Sequence, residues 1–255
     1  MNRAWLIRLA LWALLCLFVT RPETFAGLLQ PLANRNAPMI YSQAPLWQLT
    51  AAHLALTVAA TLLATIVAVA AAIFVTRPAG REFLPLSRSL CNVGQTFPPV
   101  AVLALAVPVL GFGSAPTFVA LFLYGLLPIF ENTVAGLTTI PAPVQEAARG
   151  VGMTGYQRLI KVELPLAAPL ILAGIRVSTV IALGTATIGS TVAARTLGEV
   201  IIAGLITSNL AYVVQGAALV GMLAILIFDL LTLAERAVGR RPMPVMGATV
   251  AANPS

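Results

Sequence analysis

The sequence predicts an all-α polytopic membrane protein with six transmembrane helices. Three observations carry that prediction. Of the 255 residues, 59% are hydrophobic and 9% charged, whereas a soluble domain carries roughly 25% charged residues. The apolar residues gather into stretches close to the ~20 residues that a hydrocarbon core of ~30 Å demands. The basic residues stand between those stretches and form no stripe, so the net charge of +7 reads as membrane topology and not as nucleic-acid affinity.

The elements follow in order. Ala4 to Val19 is apolar except for Arg8. It is read as an uncleaved first helix and not as a signal peptide with a weak site at Thr24-Phe25-Ala26, because the later spans then alternate correctly. Thr20 to Gln48 is an extracytoplasmic interlude punctuated by Pro22, Pro31, Pro38 and Pro45, with a short surface helix expected over Phe25 to Leu32. Residues 1–49 therefore form an N-terminal helix and loop. A core of spans covers 50–236, and 237–255 is a tail expected to be disordered. Leu54 to Val75 is the second span, closed by the basic turn Thr76-Arg77-Pro78-Ala79-Gly80-Arg81. Leu90 to Leu110 is the third, interrupted by Pro98-Pro99 and Pro108, and Ala115 to Leu137 is the fourth, with Pro128 inside. Such prolines are tolerated where a neighbour satisfies the carbonyl they free. Ala167 to Ser190 is the fifth span, rich in Gly, Ser and Thr, and such small residues let helix backbones approach closely. Thr191 to Tyr212 reads as a short helix or re-entrant segment, and Val213 to Leu233 as the sixth span.

Charge sets the orientation. Arg3 and Arg8, then Arg77, Arg81 and Arg88, then Arg149, Arg158 and Lys161, then Arg236, Arg240 and Arg241 fall on one side. Arg21, Arg35 and Arg195 fall on the other. The positive-inside rule places both termini and the 141–165 loop in the cytoplasm.

That loop, Pro141 to Pro165, is the most polar run in the chain. Val144, Ala147, Ala148 and Val151 make one apolar helical face after the prolines, and Gly150 and Gly152 end the helix. Thr154-Gly155-Tyr156-Gln157 is a capping box opening a second helix, which Pro165 is expected to close. The product is a helix–glycine–helix knuckle between two spans. It presents small residues to another protein.

Other chemistry is thin. Lys161, the sole lysine, lies in Leu-Ile-Lys-Val, so no phosphate-cradling Gly-Lys-Ser/Thr loop exists and any ATP is bound by a partner. No catalytic set, metal site or cofactor is expected. His53 stands alone at the mouth of a span, as an interfacial polar residue. Cys16 and Cys91 read as buried small hydrophobes. Arg176 lies roughly 10 Å into the fifth span at 1.5 Å per residue, and Glu131 lies about as deep in the fourth. An intramembrane charge is costly unless paired, so a Glu131–Arg176 pair bracing the two helices is expected. The alternative for Arg176 is to snorkel to the inner mouth.

Glu146-Ala147-Ala148, then Gly152, then Val162-x-Leu164-Pro165 resembles the EAA motif of ABC-importer permeases. Gly94 to Ala104, Leu123 to Ile129, Val162 to Arg176 and Gly184 to Ile188 are similar to permeases of osmoprotectant importers for glycine betaine, choline or carnitine, especially the Yeh-type betaine permeases. The resemblance covers about residues 50 to 235. It departs at Ala193 to Gly198, where the family's glycine-rich run is degenerate, and at Glu131, where many relatives are basic or neutral. The resemblance implies the type-1 importer permease fold, one helix wrapping five core helices, in the bacterial inner membrane. It further implies two cytoplasmic ATPase subunits, a second permease subunit, identical or different, and an extracytoplasmic binding protein that recognises the solute. Glu146, Ala147, Ala148, Gly152, Leu164 and Pro165 would then carry the contact with the ATPase. An amino-acid or metal-complex permease is the near alternative. An ion-driven secondary transporter is the distant one, since it needs intramembrane acids and Glu131 is the sole candidate.

Overall fold

The computed structural model describes residues 3–33 and 37–239. Eleven α-helices are present among them. α1 is Arg3–Thr20, and α2, Ala26–Leu29, is one turn flanked by 3-10 turns at Pro22–Phe25 and Gln30–Leu32. α3 is Leu46–Val75, followed by a 3-10 turn at Arg81–Phe83, α4 (Leu84–Thr96) and α5 (Pro99–Leu110). α6 is Ser114–Thr138, α7 Ala142–Gly150 and α8 Gly155–Arg158. A π turn at Leu159–Glu163 joins α8 to α9, Leu164–Ala186. α10 is Gly198–Ile206 and α11 Leu210–Gly239.

Four helical stretches are long and apolar enough to cross a membrane, and the number reaches six if each of two bent pairs is one span. The six-span expectation therefore rests on those bent pairs. The first is α1 with the Pro22–Leu32 turns, bent by 107°. The second replaces the expected third span: Arg81–Thr96 and Pro99–Leu110 meet at 95°. Pro98 and Pro99 explain the break, since neither has an N–H to continue α4 and Phe97 is held extended before them.

α3 begins eight residues earlier than the predicted Leu54, at Leu46. The polar residues Thr50 and His53 that masked this extension are buried inside the bundle. Ala60, Ala64, Ala68 and Ala72 are wholly buried at intervals of four and form the seam on which α6 lies. α9 packs against α6 and also against α3, so the three helices are mutual neighbours. A Cβ added to Gly174 would come within 2.8 Å of the Pro128 carbonyl oxygen, so the small residue there is what lets the two backbones touch. Gly184, by contrast, is exposed with nothing near its α-carbon.

α10 confirms the short helix expected between the fifth and sixth spans, and α11 runs beyond the predicted Val213 to Leu233 at both ends. α1, α10, α11 and the segment around Tyr41 share one apolar cluster. Arg8 pairs with Asp229 at 2.6 Å, fixing α1 to α11. Tyr41 donates to Glu199 at 2.7 Å, and burial together with that bond raises its phenol above the usual value. Cys91 is buried as expected but Cys16 is exposed on α1. His53 is no interfacial residue: it is fully buried, with Nε2 3.1 Å from the Leu183 carbonyl oxygen on α9. The predicted tail lies outside the described residues apart from 237–239, which extend α11.

Candidate functional site

The knuckle between α6 and α9 forms as its sequence dictates. Pro141 precedes α7 in an extended conformation, and α7 ends at Gly150. Beyond it, the Met153 amide donates to the Ala148 carbonyl at 3.1 Å and the Gly152 amide to the Arg149 carbonyl at 2.9 Å. These two bonds are a Schellman cap, which needs a left-handed residue at the position of Gly152. Gly152 has φ +78°. Thr154 then caps α8: its hydroxyl accepts from the Gln157 amide at 3.2 Å, while its own amide donates to the Gln157 side chain at 3.0 Å.

Glu146 and Ala147 are exposed on α7, and Ala148 is buried beneath them. Val151 and Tyr156 are 74% and 73% exposed at the tip, a large apolar presence for a polar loop. Leu164 is half-buried and Pro165 exposed.

Pro165 does not close the second limb. The helical path from Gly155 to Ala186 is continuous over 32 residues. A π turn absorbs the proline: the Leu164 amide reaches back to the Leu159 carbonyl, five residues away, so the chain tolerates the missing N–H one residue later. The same wide turn brings Arg158 and Glu163, five residues apart, onto one face, with Arg158 Nε 2.9 Å from Glu163 Oε1. Arg77, from the turn after α3, donates to the other oxygen of Glu163. Glu163 is 6% exposed, so this carboxylate ties three segments together at the base of the knuckle. Sequence reasoning did not single out Glu163. An acid set between Val162 and Leu164 was the available signal.

The Glu131–Arg176 pair does not form. Glu131 accepts from Arg88 of α4, with the outer nitrogen at 2.9 Å. Arg176 lies 3.0 Å from Glu235 of α11, donates to the Thr232 hydroxyl at 3.0 Å and sits over the Phe228 ring at 4.8 Å. The physical reason is helix rotation. α6 and α9 meet through Gly174 and Pro128, and each charged side chain leaves that seam toward a different neighbour.

Bent and straight apolar helices, joined by a polar helix–glycine–helix loop, define a multi-pass membrane transport subunit. The chain belongs to the family described as binding-protein-dependent transport system inner membrane component, whose model matches residues 68–241. It is 41% identical over 203 residues to the osmoprotectant import permease protein OsmY of Salmonella typhimurium, covering 80% of this chain and 83% of that protein. It is 39% identical over 189 residues to the glycine betaine/carnitine/choline transport system permease protein OpuCB of Bacillus subtilis, covering 74% and 86%. Among solved structures, an inward-facing MetNI methionine ABC transporter aligns with a TM-score of 0.67 at 23% identity, covering 78% of this chain and 99% of that one. That likeness establishes the expected type-1 ABC importer permease fold.

Proposed function

We propose that this chain is the permease subunit of an ATP-driven importer for a compatible solute such as glycine betaine, choline or carnitine. It forms half of the translocation path, and a second permease subunit forms the rest. Cytoplasmic ATPase subunits hydrolyse ATP, and an extracytoplasmic binding protein delivers the solute. Both termini lie in the cytoplasm.

One observation carries the coupling role: exposed Glu146 and Ala147 stand beside the left-handed Gly152 turn, on a knuckle braced from below by Glu163. Small side chains allow a partner to approach the α7 backbone closely. Leu164 and Pro165, at the start of α9, pass its movement into the span. ATP-driven closure of the ATPase pair displaces the knuckle as a rigid body, and the spans on either side tilt with it. The ion-driven reading rested on Glu131, and that carboxylate is engaged by Arg88.

The test is purification from mild detergent through a tag on the C-terminal tail, with mass spectrometry of the companions. Recovery of an ATPase and of a permease chain supports the importer. Titrating the accompanying binding protein with betaine, choline and amino acids identifies the solute class. Absence of any ATPase, where a known importer retains its own, overturns the proposal.

A further inference from the structure

A cavity of about 410 Å³ opens between the turn after α3, the end of α6 and the inner side of α7. Its walls carry Arg77, Arg81, Arg149 and Arg158 against one acid, Glu163. Glu163 is committed to Arg77 and Arg158. Arg81 and Arg149 make no ion pair among the described residues, and the buried Nε of Arg77 has no hydrogen-bond partner among them. Glu82 and Glu146, on the same stretches of chain, are not part of the walls. The walls of a confined space therefore hold an excess of guanidinium charge, which focuses potential and favours an anion. Planar, forked donors suit phosphate oxygens in particular.

The position narrows the source. Thr76, Leu137 and Thr138, which also line the cavity, are the last residues of α3 and α6 or adjoin them. These are span ends, the level at which lipid headgroups sit. The tip of the knuckle, Val151 to Tyr156, does not line the cavity, which lies nearer the span ends.

We propose that this cavity is a phosphate-binding site that takes the headgroup phosphate of an anionic phospholipid, clamping α7 to the ends of α3 and α6. Arg81 and Arg149 would hold the phosphate from opposite walls, while Glu163 keeps Arg77 and Arg158 in place. The inference needs these span ends to lie at a bilayer interface and does not depend on the solute or on ATP.

The experiment is native mass spectrometry of the full chain with its companions in mild detergent. Phosphatidylglycerol, phosphatidylcholine or inorganic phosphate is added to wild type, to Arg81→Gln/Arg149→Gln and to Arg81→Lys/Arg149→Lys. Wild type should retain phosphatidylglycerol over phosphatidylcholine, and the glutamine pair should lower that preference about tenfold, or ~1.4 kcal/mol. The lysine pair should restore part of it and thereby exclude misfolding as the cause. Excess inorganic phosphate that fails to displace the lipid identifies the lipid as occupant, and displacement at millimolar phosphate reassigns the site to the free anion. Equal retention of both lipids by wild type overturns the proposal. So does loss of the ATPase from the glutamine pair with lipid retention unchanged, which would make the arginines a seat for a partner's carboxylate.

Discussion

Gln95 of α4 donates its side-chain amide to the Tyr124 carbonyl of α6 at 2.7 Å. That carbonyl is the one Pro128 strips of its helical donor four residues on. The Tyr124 hydroxyl in turn donates to the carbonyl of Phe97, at the break before Pro98-Pro99. Each of two proline-damaged helices therefore repairs the other. The repair also ties the 95° bend to α6.

Removing the donor should expose the damage. Gln95→Leu leaves a half-buried carbonyl unpaired and should destabilise the chain by about 1 kcal/mol in a detergent-to-SDS unfolding titration. Pro128→Ala restores an N–H for that carbonyl. The double variant should recover most of the loss, and additive losses would contradict the pairing.

Gly152→Leu should uncouple the transporter. The turn has open space around its α-carbon, so the replacement meets no clash and its cost is the left-handed backbone, about 1–2 kcal/mol. Reconstituted with its companions, the variant should still hydrolyse ATP while solute uptake falls about tenfold or more, equivalent to ~1.4 kcal/mol of lost coupling. Uptake equal to wild type would remove Gly152 from the coupling contact.

Glu163→Gln should loosen the base of the knuckle. Two arginines would then face each other without their shared carboxylate. Arg77 and Arg158 remain 27% and 21% exposed, so solvent offsets part of the penalty and the expected loss is about 2 kcal/mol. Hydrogen exchange should rise first at the α7 and α8 amides. Unchanged protection there would show that Glu163 does not brace the loop.

Arg176 offers a discriminating double-mutant cycle. Arg176→Ala with Glu235→Ala should give a coupling of about 1 kcal/mol. Arg176→Ala with Glu131→Ala should be additive within about 0.5 kcal/mol. The reverse ranking would restore the pair that adjacency along the chain suggests.

The knuckle was legible because its signals are local. Gly152 and the Thr154–Gln157 box report conformations that depend on the nearest few residues. The partners of Glu131 and Arg176 were not legible, since depth along a span says nothing about rotation around it. Arg88 reaches Glu131 because α4 turns at Pro98-Pro99, a change of direction that a hydrophobic stretch does not encode. The start of α3 was missed for a related reason. His53 looks like a residue for water until the Leu183 carbonyl is placed beside it. Pro165 misled because the rule that a proline stops a helix assumes α spacing, and the π turn breaks that assumption.

The π turn has a mechanical consequence. With no break at Pro165, Tyr156 and Leu183 lie on one continuous helical path of 32 residues, packed on α6 at Ala167, Gly174 and Ser178. At 1.5 Å per residue, the stretch between them spans about 40 Å. The exposed tip of the knuckle and the carbonyl that meets the buried His53 imidazole are therefore two ends of a single hydrogen-bonded helix, with no joint between them to absorb a push on the loop.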